Sequence, residues 1–469
     1  MSESIDSIGE AESRPIQLRD DAGQISSAWI EQLRRRLDDT EADELKALVE
    51  PLHAADMGDV IEALAAEERL RLVRLLGDRF DFSALTEVDD SVRSELIDEL
   101  PTADIARGVA ELDNDDAVYI LEDIDVPERE NILAHMPAFE RLNLKRSLDF
   151  PEDSAGRLMQ TEFIAIPPFW TVGQTIDYLR NDKGLPDDFY QLYVVNPGYG
   201  LQGIVPLDKF LRAKRDIRIG DMMQTAIIQV DATEDQEAVA REFERYDLVE
   251  VAVVDESRRL VGVLTIDDIV DVIHEEATED IQRLVGIGDE DLSADVRTTL
   301  RSRITWLFVN LLTAVLASSV IDVFDGVIGK MVALAVLMPI VASMGGNAGT
   351  QTMTVTVRAL ATQELDRYKL NRLVWREILV GLNNGWFFAV VMGVIASVWF
   401  GNWGLGVVIG GALIVNLFAA ALAGVLIPLT LHRLRVDPAV GSSPLVTTVT
   451  DVVGFYSFLL FAGFWFHLF

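Results

Sequence analysis

The chain has 469 residues, enough for several domains, and it contains no cysteine, which excludes disulfides, thiolate metal sites and thiol catalysis. Its charge is divided unevenly: positions 1–300 carry 30 basic and 69 acidic residues, whereas positions 301–469 carry ten and seven. The acidic excess argues against a nucleic-acid partner, because no basic stripe is present that could neutralise phosphates.

Residues 1–24 are polar and acidic, with no apolar core that would mark a signal peptide. They are predicted to be a disordered tail, with the start of the chain in the cytosol. Residues 25–152 show apolar positions at helical spacing, and the segment from Leu52 resembles the one from Leu100. This weak repeat predicts an all-α helical-repeat N-domain of stacked hairpins, with an ordinary helical bundle as the alternative.

Residues 153–273 change to short β-branched runs that alternate with helical stretches, in a β-α-β-β-α order that occurs twice. The predicted strands are 163–166, 192–195, 203–205, 227–230, 251–254 and 260–264. The duplication resembles a tandem pair of CBS domains, an α/β fold that commonly binds adenosine nucleotides.

One turn of the second repeat matches the ribose-holding turn of that family through Gly262, Thr265 and Asp267. The resemblance therefore implies these three residues as a nucleotide site and ATP as its ligand. The matching turn of the first repeat has Pro206 where Thr or Ser is expected. A helix-capping role would also explain Thr265.

Residues 274–303 form a charged, helix-favouring stretch that is broken only at Gly286 and Gly288. It is either a simple linker or a lever that carries a signal from the soluble body to the membrane part.

Residues 304–469 contain five apolar stretches, each able to cross a hydrocarbon core that takes about 20 helical residues. They run approximately over 304–324, 331–357, 374–400, 404–431 and 445–468. Lys and Arg cluster before the first stretch and in the loops after the second and fourth. The positive-inside rule then predicts a multi-pass protein of the cell (inner) membrane, with its N-terminus cytosolic and its C-terminus outside.

The second span carries Asn347 and Gln351 one turn apart, beside the small-residue pair Gly345 and Gly349. The side-chain amide oxygens of Asn347 and Gln351 suit a hard or hydrated cation. The alternative is that the glycines and amides only mark a helix–helix contact.

The fifth span carries Asp451, the one acid well inside an apolar stretch. It lies seven residues past Pro444, or about 10 Å deep at 1.5 Å per residue, with Thr447 and Thr448 one turn before it. An ionised carboxylate is costly there, so it should face a water-filled path and mark an ion site. A structural ion pair and a proton relay are the alternatives.

Oxygen ligands indicate a hard divalent cation, and Mg²⁺ keeps several of its waters at sites with few carboxylates. Because one Asp per chain is little for such an ion, a symmetric homodimer that supplies two is attractive. Another divalent ion such as Co²⁺, Mn²⁺ or Ca²⁺, a proton- or ion-coupled secondary transporter, and a membrane-tethered nucleotide sensor are the rival hypotheses. No nucleophile–base set or phosphate-binding loop indicates an enzyme.

The stretches PIVASMGGNAGTQ and DPAVGSSPLVTTVTD, together with the order of the segments, resemble the MgtE family of magnesium channels over roughly residues 40–469. The resemblance implies a homodimeric Mg²⁺ channel in the lipid bilayer. Asp451 would be the pore carboxylate, Asn347 would line the pore, Thr447 would lie nearby, and Asp437 would lie at the cytosolic mouth. Ser443 stands where some members have Asn.

In that family, Mg²⁺ bound between the cytosolic domains and the linker, or plug, helix closes the channel. The resemblance implies a set of acids that carries this role here: Asp235, Glu237, Asp247, Asp268, Asp271, Glu276, Glu279 and Asp280. The acids between Leu112 and Tyr119 do not show the expected spacing and are not assigned a role.

Overall fold

The computed structural model describes residues 17–39, 42–186, 188–284, 296–361 and 367–468. The chain divides into two compact units, Met1–Glu276 and Ala277–Phe469. The predicted break at Gly286 and Gly288 and most of the predicted tail lie outside the described residues.

The first unit begins with nine helices around one apolar core, which confirms the all-α N-domain. Apolar positions at helical spacing form this core; in α6, for example, Ile105, Ala106 and Val109 are all buried. Residues 17–24, part of the predicted tail, lie on this domain, where the Arg19 guanidinium pairs with two carboxylates of α3. The helices are α1 (Ser27–Asp39), α2 (Ala42–Val49), α3 (Ala54–Glu62), α4 (Ala66–Leu76), α5 (Asp90–Glu99), α6 (Thr102–Val109), α7 (Asn114–Glu122), α8 (Val126–His135) and α9 (Ala138–Leu148).

The next segment contains two three-stranded sheets of the same topology, which confirms the duplicated α/β pair. In each sheet the middle strand pairs in parallel with the first strand and antiparallel with the third. The elements are α10 (Ala155–Leu158), β1 (Ala165–Ile166), α11 (Val172–Asn181), β2 (Gln191–Val195), β3 (Leu201–Pro206), α12 (Leu207–Arg212), α13 (Ile219–Met222), β4 (Gln229–Asp231), α14 (Gln236–Tyr246), β5 (Glu250–Val254) and β6 (Leu260–Thr265).

The two sheets share a small apolar core that includes Tyr193, Ala252 and Val263. The Tyr193 hydroxyl, fully buried, donates a 2.5 Å hydrogen bond to the Glu250 carboxylate on the middle strand of the other sheet. This contact between the middle strands ties the two repeats together, since a buried polar pair is costly to separate.

Helix α15 (Ile266–Leu284) follows β6 without interruption. It therefore runs straight through the predicted boundary between residues 273 and 274. The second repeat and the first part of the predicted linker are therefore joined by one continuous helix.

The second unit contains α16 (Val296–Val323), α17 (Asp325–Lys330), α18 (Ala333–Ala361), α19 (Arg367–Phe400), α20 (Trp403–Arg433) and α21 (Pro438–Trp465). Five of these, all except the short α17, are long and apolar enough to cross a membrane, which confirms the five predicted spans. Helix α20 packs against α18, α19 and α21 and is the most buried of the five. This helix is therefore the centre of the bundle, around which the polar faces of α18 and α21 are arranged.

Candidate functional site

The polar residues predicted to line a cation path lie on α18 and α21. Asn347 and Thr447 are exposed in the single chain, and Asp451 is half-buried. The two helices touch where Gly349 meets Val446, because a Cβ added at residue 349 would lie 2.6 Å from the Val446 Cγ1. Asn347 and Thr447 are each within two residues of that contact, so the structure brings them to a similar level of two adjacent helices.

Asp451 lies one turn beyond Thr447 on the same helix, about 6 Å along its axis. Among the described residues, no basic side chain and no hydrogen-bond donor pairs with the Asp451 carboxylate. The hydroxyl of Thr450 donates to the carbonyl oxygen of Thr447 at 3.0 Å, and that of Thr448 donates to the carbonyl of Pro444 at 2.6 Å. Their hydrogens are thus used within the helix, while the carboxylate remains available to a ligand on its open side.

Asp437 begins α21 and is tied to the end of α15. Its Oδ1 accepts a 2.8 Å hydrogen bond from the amide of Ala439, the capping geometry expected at a helix N-terminus. Its Oδ2 lies 3.2 Å from the guanidinium of Arg283, which also pairs with Glu279 one turn earlier on α15. Glu279 and Asp437, which were predicted to have separate roles, therefore pair with the same guanidinium group, that of Arg283.

Three of the predicted regulatory acids, Asp235, Glu237 and Glu276, lie near the start of α14, where Glu237 also pairs with Arg241 at 2.7 Å. The Asp235 carboxylate caps this helix by accepting from the amide of Ala238 at 3.2 Å, and the Gln236 amide donates to Glu276 of α15 at 3.0 Å. Burial, and then the charges of Glu237 and Asp235, raise the pKa of Glu276. Negative charge is therefore concentrated where α14 approaches α15, and a cation would relieve it.

The remaining predicted acids are not gathered into one site. Asp247 ends α14 in the left-handed backbone region, with φ of 51°, and is exposed. Asp271 is exposed on α15, and Asp280 lies half-buried nine residues later on the same helix. Over the described parts of the chain, no three His, Asp or Glu side chains come close enough together to hold a metal ion by themselves. Ions bound here would keep water or draw further acids inward.

A carboxyl pair that the sequence did not predict joins the N-domain to the CBS pair. The carboxyl groups of Asp115 on α7 and Asp268 on α15 lie close enough to interact, and Asp268 also accepts from the Thr265 hydroxyl at 2.6 Å. Burial, and then the charge of Asp115, raise the pKa of Asp268 to about 8. Burial and Asp116 raise the pKa of Asp115 to about 6. The Asp-Asn-Asp-Asp run was visible, but its distance from Asp268 in sequence hid the pairing.

We expect the Mg²⁺-free protein to lose stability as the pH rises from about 4 to about 8. An acid whose pKa is higher in the folded than in the unfolded state holds its proton more tightly when folded, so raising the pH favours unfolding. The window starts near the ordinary Asp value of 3.8 and ends near the value for Asp268. Thermal unfolding of the full chain in detergent at pH 5 and pH 8 would measure this difference.

Added Mg²⁺ should restore more stability at pH 8 than at pH 5, because it binds the deprotonated carboxylates. The variant Asp115→Asn is the control, since it removes one acid of the pair and should flatten the pH dependence. An equal pH dependence in this variant and the wild type would contradict the assignment.

The turn predicted to bind a nucleotide has structural roles as well. A Cβ on Gly262 would lie 2.7 Å from the carbonyl oxygen of Gln160. Glycine is therefore needed at this point of β6, where the chain around Gln160 passes close to the strand. The Thr265 hydroxyl is engaged with Asp268, and Asp267 is exposed. The structure thus places Gly262 and Thr265 on β6 and Asp267 in the first turn of α15, and it gives structural reasons for the first two.

A second acid inside the apolar region, Glu377 of α19, was also missed. The predicted span began at residue 374 and put Glu377 at its edge, whereas α19 begins at Arg367. Its side chain is only 9% exposed, accepts a 3.1 Å hydrogen bond from the Thr352 hydroxyl of α18, and pairs with Arg376 at 2.8 Å. Asp451 is therefore not the only acid within the helical bundle, but Glu377 already has two partners.

The substitution Glu377→Ala should reduce the free energy of unfolding by about 1–3 kcal/mol, because it leaves the Thr352 hydroxyl buried without an acceptor. Thermal unfolding of the full chain in detergent measures the loss. Glu377→Gln keeps an acceptor oxygen and should retain most of the stability. If both variants unfold like the wild type, the contact is not stabilising.

Three family profiles match the chain in the order of its segments. The MgtE intracellular N domain matches residues 52–153, a CBS domain matches residues 219–275, and the MgtE divalent cation transporter family matches residues 338–461. The matches cover the helical N-domain, the second CBS repeat and the bundle of α18–α21.

Whole-chain relatives are similar along almost their full length. The magnesium transporter MgtE of Thermus thermophilus is 31% identical over 433 residues, which is 91% of this chain and 96% of the relative. That of Bacillus subtilis is 30% identical over 429 residues, 91% and 94% of the two chains. A crystal structure described as the soluble part of a magnesium transporter covers 53% of this chain and 98% of its own, with 29% identity and a TM-score of 0.48. The cytosolic domain of the Mg²⁺ channel MgtE in complex with ATP covers 52% and 99%, with 26% identity and a TM-score of 0.48.

Proposed function

The chain belongs to the MgtE family and is a magnesium transporter, and from this premise we propose that it conducts hydrated Mg²⁺ along the polar face of α18 and α21. The observation that carries the proposal is Asp451, a carboxylate within an apolar helix that no base of the described chain neutralises. Such a group is costly in a bilayer unless water or a cation reaches it. Asn347 and Thr447 supply neutral oxygens on the same open side.

A second copy of the chain would complete the path. Asn347, Gln351 and Thr447 are exposed in the single chain, although they lie on helices that otherwise suit a membrane. Polar side chains in such helices are expected to face the interior of a bundle or a water-filled cavity. A two-fold axis beside α18 and α21 would cover these side chains and supply two Asp451 carboxylates to one ion that keeps its waters.

Closure by cytosolic Mg²⁺ would use the acids of α14, α15 and the N-domain. Neighbouring carboxylates repel one another, and a divalent ion between them reverses the sign of the interaction. The cluster around Gln236 and the pair Asp115–Asp268 both join elements that such an ion would draw together. Glu279 and Asp437 share Arg283, which links the end of α15 to the first residue of α21. Regulatory charge is thereby connected to the helix that carries Asp451.

The orientation is inferred from the basic residues near the ends of the spans. Lys and Arg cluster in the first turns of α16, at the end of α18 and start of α19, and around the end of α20, whereas the opposite ends carry only Lys330. The positive-inside rule then gives a cytosolic N-terminus and an external C-terminus. This orientation keeps the acidic body, residues 1–300, in the compartment whose Mg²⁺ concentration it would sense.

The test of this function is Mg²⁺ uptake into vesicles that contain the purified chain, with an imposed proton gradient present or collapsed. Uptake above that of protein-free vesicles, unchanged when the gradient collapses, is the expected result for a channel. Uptake that stops with the gradient would instead indicate a coupled transporter. Faster uptake of Co²⁺ or Mn²⁺ than of Mg²⁺ at equal concentration would indicate a different cargo.

We also propose that the turn at Gly262, Thr265 and Asp267 binds an adenosine nucleotide such as ATP. Thr265→Ala should weaken ATP binding by about tenfold, the effect expected for the loss of one good hydrogen bond. Isothermal titration of the full chain in detergent measures the affinity. Thr233→Ala is the matched control, since it removes a similar Thr–Asp contact, that with Asp231, from the same repeat. A wild type that binds no ATP would contradict the proposal.

A further inference from the structure

We propose that Asn416 of α20 is a positioning residue that fixes the separation of α18 and α21, and with it the width of the cation path. The inference rests on the proposed role of these two helices in conduction. Asn416 lies 13 residues after the start of α20, near the middle of a helix long enough to span the membrane. It is fully buried in the single chain.

The Asn416 amide joins α20 to α18 by a hydrogen bond. Its Nδ2 donates to the carbonyl oxygen of Val341 at 2.8 Å. Its Oδ1 is buried and accepts no hydrogen bond from the described residues. A polar group left half-satisfied in an apolar interior is expensive, and a leucine would fill a similar volume without that cost. The side chain therefore needs a reason other than stability.

Two glycines, one on each path helix, show what the amide does. A Cβ added to Gly345 of α18 would lie 2.2 Å from the Asn416 Nδ2, and one added to Gly454 of α21 would lie 2.8 Å from the same atom. The flat amide thus occupies the side-chain space of both glycines. This arrangement lets three backbones approach closely around one polar group, as small residues do in membrane bundles.

Both contacts lie beside the proposed ion ligands. Gly345 precedes Asn347 by two residues, and Gly454 follows Asp451 by three, so each contact is within one helical turn of a ligand. Asn416 touches the inner sides of α18 and α21, while Asn347 and Thr447 are exposed on their open sides. A movement of the Asn416 side chain would therefore change the distance between the proposed ion ligands on α18 and α21, although Asn416 itself does not contact the ion.

The glycine contacts allow a test by compensation, using Mg²⁺ flux of the full chain in vesicles. Gly345→Ala should lower flux by at least about tenfold, as expected when ligands are displaced by the order of an ångström. Alanine is the better helix former, so the loss would reflect the clash and not a weaker helix. The double variant Gly345→Ala with Asn416→Ala should recover much of the flux, since the obstructing amide is gone. Gly329→Ala is the matched control, because a Cβ there meets no atom.

Ion preference separates positioning from simple packing. Asn416→Ala and Asn416→Leu should insert and assemble like the wild type but change the ratio of Co²⁺ to Mg²⁺ flux. Unchanged flux and ratio in both variants, or a double variant no better than Gly345→Ala, would overturn the inference. Asp451→Ala is measured in parallel. If it conducts normally, the proposed path itself is wrong. If it is inactive while the Asn416 variants behave like the wild type, only the role of Asn416 is overturned.

Discussion

Replacing Asp451 with alanine is expected to reduce Mg²⁺ uptake to the level of cells that lack the protein. The carboxylate is the single charged side chain of α21, and no base of the described chain pairs with it. Without it, a divalent ion would have to leave bulk water for a path lined only by neutral oxygens. The initial rate of uptake in cells deprived of their own Mg²⁺ transporters measures the effect.

Two further variants sharpen this prediction. Asp451→Asn keeps the shape and removes the charge, so it should be nearly as inactive as alanine if charge is what matters. Asp149→Ala removes an exposed acid at the end of α9 and should leave uptake unchanged. Normal uptake by Asp451→Asn would show that the carboxylate is not needed and would contradict the pore assignment.

Neutralising the acids around Gln236 is expected to remove the inhibition of flux by cytosolic Mg²⁺. The triple variant Asp235→Asn, Glu237→Gln and Glu276→Gln keeps the size of each side chain and most of its hydrogen-bonding ability. It removes the mutual repulsion that a bound cation would relieve, so the ion loses its preference for the closed arrangement. Flux at high cytosolic Mg²⁺ should then approach the flux seen when the ion is scarce.

The matched control removes three exposed acids of α12, α13 and the loop between them: Asp208→Asn, Asp216→Asn and Asp221→Asn. It changes the net charge equally but touches none of the proposed contacts, so inhibition should persist. If the control abolishes inhibition as strongly as the triple variant does, the effect is one of overall charge and the cluster has no specific role.

The sequence predicted those parts of the fold in which local pattern and tertiary structure agree. The five spans are continuous apolar runs of the required length, and the duplicated strands of the CBS pair are short apolar, β-branched runs, the pattern of strands buried on both faces. The boundary predicted at residue 274 follows a change in composition, whereas α15 continues through it from Ile266 to Leu284. Charged residues continue a helix as readily as apolar ones when both are good helix formers.

The contacts that matter most for the site were beyond local reasoning. Asp115 and Asp268 are far apart in the chain, and only packing of the N-domain on the CBS pair brings their carboxyl groups together. Asn416 and Glu377 are single polar residues in apolar helices, and periodicity cannot tell whether such a residue faces lipid, a partner helix or a cavity. The small residues opposite Asn416 were visible as Gly345 and Gly454, but their partner could be identified only from the packed bundle.

The central claim is that Mg²⁺ permeates past Asp451 and that other Mg²⁺ ions, bound to the acidic body, close the same path. The most direct test is Mg²⁺ flux into vesicles containing the wild-type chain, measured as Mg²⁺ on the side of the acidic body is raised, with Asp451→Ala alongside. The prediction is a wild-type flux that falls as that Mg²⁺ rises, and no flux through Asp451→Ala at any concentration. Flux through the variant equal to that of the wild type, or wild-type flux independent of that Mg²⁺, would contradict the claim.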